Sequence, residues 1–465
     1  MHGVLEENDL KLYRYRTIQS ALLELENGSF YFAAPKELND PVEGYLKLFW
    51  QGDKPAWEGL LKNFVCSLFY NLQTYLLMSA RVYPAAQKNF LNDLQNKILL
   101  SDIHQFDNLP LGRIFLELSE NFLATDNVQT VVEFYGNDEI KCYGRELEFI
   151  LRTVTDDACR LCVRKCKDLS LIRAAFDEKF FDVAYEISFD ELKHVSDAER
   201  KRRIDEIENL NCDLMESGLL ALKMDARHFD AEFALKQRIL WLQFIFPRMY
   251  VEQLKAIMYP NGYVVCFSDT PTNSAMWGNY ADNHKGICFI YETETVDGRE
   301  LIHFAAKSLE VRPIKYTAQI ITRNFFDTLR HLNFIRAEDW LTGKGGVKSC
   351  KLDGGAAVGE YEDDYHEKFY RKLNDWNHEH EYRIFLSDRF YRYGDKAART
   401  LRYKLSTLKG IIFGLRTTLD DKLKLIRKLE RLGKSVTDFD FFQAEFDDET
   451  QLISVREKFL LTKTT

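Results

Sequence analysis

Hydrophobic and polar positions divide the chain into three stretches of different period. Leu12-Tyr13-Arg14-Tyr15-Arg16 is short, aromatic and alternating, as a strand should be. Thr17 to Glu26 carries apolar residues at helical spacing, Asn27-Gly28 is a turn, and Ser29 to Ala33 returns to strand character. Pro35, Asn39, Asp40, Pro41 and Gly44 then mark a loop. From Trp57 to about Tyr259 apolar residues recur at three and four, as in Leu91, Leu94, Ile98, in Phe115, Leu118, Phe122, and in Leu210, Leu214 and Leu219 to Leu222. Only Pro84, Pro110 and Pro247 interrupt that helical text. Strand character resumes at Gly262 to Ser268 and Gly286 to Tyr291, with further strands at Val311 to Tyr316, Tyr382 to Ser387 and Gly410 to Phe413. Thr317 to Trp340 reads as helix, and Gly343 to Gly359, with six glycines, reads as a loop. Leu419 to Leu432 is an amphipathic helix ending at Gly433, and Phe439 to Phe446 a last strand.

This pattern predicts an α+β protein. A split mixed/antiparallel β core of residues 1–50 and 260–465 carries a large α-helical insertion at 51–259. Composition agrees: 465 residues, 46% hydrophobic and 14% aromatic, suit several domains with large cores. The nine prolines are few for this length and favour long helices. A formal charge of -9 gives no global attraction to nucleic acid or to an anionic membrane. Nine cysteines, an odd number set mostly in apolar stretches, and an N-terminus unlike a signal peptide point to reduced thiols and a cytoplasmic location. No charge occurs between Lys62 and Arg81, but Asn63, Ser67, Asn71, Gln73, Thr74 and Ser79 favour a buried helix over a membrane span. Glu199 to Glu208 reads as a solvated mixed-charge face.

Three clusters could carry chemistry. Arg14 and Arg16 share one strand face, opposite Tyr13 and Tyr15, and such a pair suits a phosphate or pyrophosphate unless it is merely solvated at an edge. In Ser274 to Gly286, Trp277, Tyr280 and Ala281 fall on one helical face with His284 a turn later; they form either a platform for a flat heterocycle or a core helix ending at Gly286. In Trp376 to Arg383, Glu379, Glu381 and Arg383 share a face if the segment is extended. Paired carboxylates there would serve glycosyl chemistry, whereas His378 and His380 would serve a metal, and a charged edge strand would serve neither. Cys159, Cys162 and Cys166 are helically spaced, which favours a core stripe over zinc, and no metal is expected. Lys344 to Ser349 lacks the glycine and the strand-to-helix setting of a phosphate loop.

Taken together, Tyr13-Arg14-Tyr15-Arg16, Asn27-Gly28-x-Phe30-Tyr31-Phe32, Asn39-Asp40-Pro41-x-Glu43, Cys266-Phe267-Ser268, Met276-Trp277-x-x-Tyr280-Ala281-x-Asn283-His284-Lys285-Gly286 and Glu379-x-Glu381-Tyr382-Arg383 resemble the bacterial Domain of Unknown Function 2971 family. The resemblance covers about residues 10–50 and 260–445. The stretch between lies outside it and would bring a protein partner or regulation of its own. The layout is also similar to that of ADP-ribosyltransferases: a basic residue on an early strand, an aromatic/Ser middle motif and a late Glu-x-Glu strand. That second likeness implies an NAD substrate. Arg14 or Arg16 would hold its phosphates or ribose, Ser268 would support the site, and Trp277 and Tyr280 would pack on nicotinamide, with His284 beside them. Glu381 would be catalytic and Glu379 would assist. The chain departs from it in lacking a Ser-Thr-Ser motif. The expectation is therefore an intracellular bacterial enzyme transferring from or hydrolysing NAD, as a toxin or phage-defence effector. Its rivals are a non-catalytic nucleotide sensor and a metal-dependent nuclease using His378 to Glu381 with Asp282 or His284.

Overall fold

The computed structural model describes residues 10–79, 100, 110–171, 189–224, 245–256, 262–329, 366–388, 392–433 and 439–457. The chain divides into two compact units: Met1–Leu46 with Pro260–Ile321 and Glu362–Thr465, and Lys47–Tyr259 with Thr322–Tyr361. The fold is mixed α+β, with mixed and antiparallel sheets.

The first unit is built on a ten-stranded sheet. In spatial order its strands are Leu452–Glu457, Asp440–Asp447, Leu408–Phe413, Ile287–Glu292, Lys11–Arg16, Gly262–Ser268, Glu381–Ser387, Ser308–Pro313, Arg299–His303 and Glu294–Val296. Only the pair Leu408–Phe413 and Asp440–Asp447 runs parallel among its registered pairs. The alternating strand Lys11–Arg16 thus lies near the middle. It pairs along its whole length with Ile287–Glu292, but meets Gly262–Ser268 through Tyr13 opposite Ser268. Farther along that neighbour, Val264 exchanges backbone hydrogen bonds of 2.8 and 2.9 Å with Ala33 instead.

Strand alternation gives the sheet two differently furnished faces. One packs Leu12, Phe30, Phe267, Phe289, Tyr291 and Ile384 together with Leu25, Leu425 and Leu429. The last three come from the helices Ile18–Asn27 and Leu419–Arg431. Thr17 and Thr418 cap those helices through their side chains, and Gly28 leaves the first in a left-handed conformation (φ 54°), which costs glycine little. The other face packs Tyr15, Met276, Trp277, Cys288, Ile412 and Ile453. Burying each large apolar side chain stabilises the fold by about 1.5–3 kcal/mol.

The second unit holds the helices Lys54–Ser79, Pro110–Leu123, Asp126–Tyr135, Gly144–Asp168, Phe189–Leu192, Asp197–Met224 and 245–256. Beside them is a three-stranded sheet in the order Thr322–Asn324, Lys47–Trp50, Cys142–Tyr143. Cys159, Cys162 and Cys166 are buried along Gly144–Asp168, and burial raises all three thiol pKa values. No helix among the described residues is long and apolar enough to cross a membrane.

Two local expectations need correction. Thr317–Trp340 is not one helix: Lys315–Thr317 and Thr322–Asn324 are strands, and among the described residues the helix there is Phe325–Leu329. Each strand pairs in parallel with a distant segment, Arg371–Leu373 and Lys47–Trp50 respectively, and those backbone bonds override local helical spacing. The pairing with Lys47–Trp50 places Thr322–Asn324 in the helical unit. The helix Ser274–Tyr280 stops six residues before Gly286. Asp282, Asn283 and His284 follow with φ of 47°, 51° and 67°, a left-handed turn of three non-glycine residues. The apolar stripe at Leu91, Leu94 and Ile98 and the loop Gly343–Gly359 lie outside the described residues.

Candidate functional site

The glutamates of the late motif are brought together by two different local structures. Asn374–Glu379 is a 3₁₀ turn, His380 is left-handed (φ 47°, ψ 51°), and the strand begins at Glu381. The side chains still converge, because both bind one lysine. Lys372 Nζ donates to Glu379 Oε2 (2.6 Å) and Glu381 Oε2 (3.2 Å), and lies 3.7 Å from Glu43 Oε2. Arg383, two residues along the strand and on the same face, donates from Nε to Glu381 Oε1 (2.6 Å) and from Nη2 to Glu381 Oε2 (2.8 Å). Its Nη1 donates to Glu43 Oε1 and to the Phe369 carbonyl (2.5 and 2.8 Å).

All five side chains are buried. Three carboxylates therefore face two cations in a low-dielectric setting, where an unpaired charge would be costly. Burial pushes the Glu381 carboxyl up, but the charge and hydrogen bonds of Arg383, with Lys372 beside them, outweigh it and bring the pKa down to about 2. Burial likewise works against the charged forms of Lys372 and Arg383, and the carboxylates more than compensate, raising both.

Polar groups close the network on its other sides. Tyr280 Oη donates to Glu379 Oε1 (2.7 Å) and accepts from Asn39 Nδ2. Ser268 Oγ donates to the Glu379 carbonyl (2.8 Å), and the Glu381 amide donates to Tyr316 Oη (2.8 Å). Cys266 is partly exposed and its thiol pKa is raised, first by burial and then by Glu381. Ser268 stands between Tyr13 and Glu381 in register, so these residues form one row across three adjacent strands.

Of the residues singled out from sequence, Glu379, Glu381, Ser268 and Tyr280 meet here. Arg14, Arg16, Trp277 and His284 take other positions. Alternation sends Arg14 to the opposite face, where its guanidinium carbon lies 4.9 Å from the Phe30 ring centre and 5.4 Å from that of Phe267. Its Nε is 3.6 Å from Glu24, which also accepts from Arg16 Nε (2.9 Å) and from Tyr291 Oη (2.6 Å). The anion between the two arginines is thus the carboxylate of Glu24. Trp277 is fully buried, edge-on to Tyr15 at 5.1 Å, with its indole N–H donating to the Pro271 carbonyl (2.8 Å). It is a core residue rather than a pocket wall. His284 stacks on Trp277 at 6.4 Å, and burial followed by the Arg416 charge lowers its pKa.

Sequence reasoning gave no role to Glu43, Lys372 or Tyr316. Glu43 had a visible signal, the fifth position of Asn39-Asp40-Pro41-x-Glu43; Lys372 had none, lying in a short segment with Lys368 and Arg371. Among the described residues no group of three or more His, Cys, Asp or Glu side chains is placed to hold a metal ion.

Four of the motif segments, those holding Glu43, Ser268, Tyr280 and Glu379 to Arg383, meet around one buried ion network in a mixed α+β fold. Residues 276–384 match the family model described as "Protein of unknown function (DUF2971)", which supports the kinship read from the motifs. No curated protein matches the chain. No solved structure matches it.

Proposed function

We propose that the core is an ADP-ribosyltransferase-like enzyme that transfers from NAD or hydrolyses it, at the sheet face carrying Tyr13, Ser268 and Glu381. The observation that carries this reading is the in-register row of those residues on three neighbouring strands. Breaking the nicotinamide–ribose bond builds positive charge on the ribose. A carboxylate held ionised suits that charge better than a proton donor would. With three carboxylates against two cations the network keeps a surplus of negative charge, and Tyr280 orients Glu379 within it. Arg14 and Arg16 have no part in this version of the site, nor does Trp277. In a bacterial cytoplasm such an activity would suit a toxin or phage-defence effector.

A second reading, nucleotide binding without catalysis, is favoured by the occupation of both Glu381 oxygens by Arg383 and Lys372. One experiment separates the two: calorimetric NAD binding and nicotinamide release for wild type and Tyr280→Phe, with cell extract supplying an acceptor or trigger. Release that falls at least tenfold in the variant while binding persists supports the enzyme. Binding without release in wild type supports the sensor, and neither binding nor release ends both readings.

A further inference from the structure

Eleven large hydrophobic side chains are exposed among the described residues, and three of them fall close together in the chain. These are Leu415, Leu419 and Leu423, which are 37%, 71% and 39% exposed. Leu419 and Leu423 stand one turn apart on the helix Leu419–Arg431, on the side away from the buried Leu425 and Leu429. Leu415 lies in the turn before it. Arg427 and Arg431 continue the line of Leu419 and Leu423 at four-residue steps, and both are exposed, as is Arg416. The lysines of the helix are engaged: Lys424 with Asp421 (2.8 Å), Lys428 with Glu26 (3.4 Å) and Lys422 with Gln443 (2.6 Å). Among the described residues no carboxylate pairs with Arg416, Arg427 or Arg431. Asp420 and Glu430 are the exposed acids here, and over residues 416–431 basic residues outnumber acidic ones six to three in a chain of formal charge -9.

We propose that this helix face docks the protein on an anionic membrane surface. Leu415, Leu419 and Leu423 enter the interface, and Arg416, Arg427 and Arg431 meet lipid phosphates. Exposed leucines beside unpaired cations are the composition of a helix that lies in the plane of a bilayer interface. Guanidinium groups suit phosphate oxygens, which their planar forks bind in pairs. A lipid surface also asks for no shaped partner: a single helix side offers a line of contact rather than a groove. The charge of the whole chain opposes such contact, so the attraction is local. It acts within a Debye length of about 10 Å at 0.1 M salt, which makes the docking reversible and dependent on ionic strength. This surface stands apart from the NAD reading and shares no residue with it.

The test uses the full chain with two kinds of vesicle, phosphatidylcholine alone and phosphatidylcholine mixed equally with phosphatidylglycerol, read by cosedimentation. Saturable binding is expected to the anionic vesicles alone, weakening about tenfold or more as salt rises from about 0.01 to about 0.15 M. Arg427→Gln combined with Arg431→Gln should weaken it about tenfold or more, since each basic residue near an anionic surface contributes about fivefold. Leu419→Ser combined with Leu423→Ser should weaken it at least about fivefold and leave the salt dependence unchanged. All four side chains are exposed, so either variant leaves the buried side of the helix intact. Failure to bind anionic vesicles, equal binding to neutral ones, or wild-type affinity in either variant overturns the proposal. So does binding to soluble polyglutamate as tight as to vesicles, which would give the face to an acidic protein. Nicotinamide release is not among the readouts, so the outcome is independent of whether NAD is a substrate.

Discussion

Replacing Glu381 by Gln removes the charge that Arg383 and Lys372 share while keeping the shape of the side chain. Its pKa of about 2 in the fold compares with an ordinary value of 4.5. A depressed carboxyl contributes stability that is present above the unfolded pKa and is lost as pH falls through the folded one. At about 1.36 kcal/mol per pKa unit, the ionised form contributes roughly 3 kcal/mol at pH 7 and roughly 1.5 kcal/mol at pH 3. Loss of one partner from a buried ion network costs about 3–5 kcal/mol by a separate argument, so the two magnitudes agree. Urea denaturation of wild type and variant between pH 3 and 7 reads the difference directly, provided the m-values match. The gap should be about 3 kcal/mol at neutral pH and close as the buffer is acidified. A gap below 1 kcal/mol at pH 7, or one that stays constant down to pH 3, refutes the claim that Glu381 is held ionised by its neighbours.

Other substitutions probe the two faces of the sheet. Trp277→Ala should destabilise by about 3–5 kcal/mol in urea, as loss of a fully buried ring does; lost NAD binding at unchanged stability would instead restore Trp277 to a ligand site. Arg14→Met should change stability by less than about 1 kcal/mol, because the buried guanidinium leaves Nε and Nη1 unbonded and Glu24 keeps Arg16 and Tyr291; a loss above 3 kcal/mol would show the pair with Glu24 to be strongly favourable. Gly286→Ala should lower the melting temperature sharply, since a Cβ there would lie 2.1 Å from the Arg16 carbonyl oxygen. Gly278→Ala, in a helix and with open space around it, should raise stability by up to about 1 kcal/mol, and equal effects at the two positions would contradict the backbone contact.

Period and β-branched or aromatic composition located the strands around Arg14, Val264 and Ile384, and helical period the helix 419–431, which buries Leu425 and Leu429 and exposes its charged residues. Period also put Arg14 and Arg16 on one face and Tyr13 and Tyr15 on the other. What it could not supply was which of those faces looks toward Glu381. That depends on the register of Tyr13 with Ser268 and of Ser268 with Glu381, pairings between residues far apart in the chain. The same limit hid Lys372, whose importance lies entirely in three carboxylates that reach it from two other segments. It also hid the strands Lys315–Thr317 and Thr322–Asn324 at the start of the expected helix Thr317 to Trp340, since both recruit partners from elsewhere in the chain.

The central position of Lys11–Arg16 has a consequence for how the protein is made. Its neighbours on both sides, Ile287–Glu292 and Gly262–Ser268, emerge from the ribosome about 250 residues after it. At about 5–20 residues per second that interval lasts roughly 10–50 s. During it, Leu12, Tyr13 and Tyr15 have no sheet to join, while the intervening helical segments are already being synthesised. This strand is therefore paired long after it is translated, and a nascent chain that still exposes its aromatic residues is the form most in need of a chaperone.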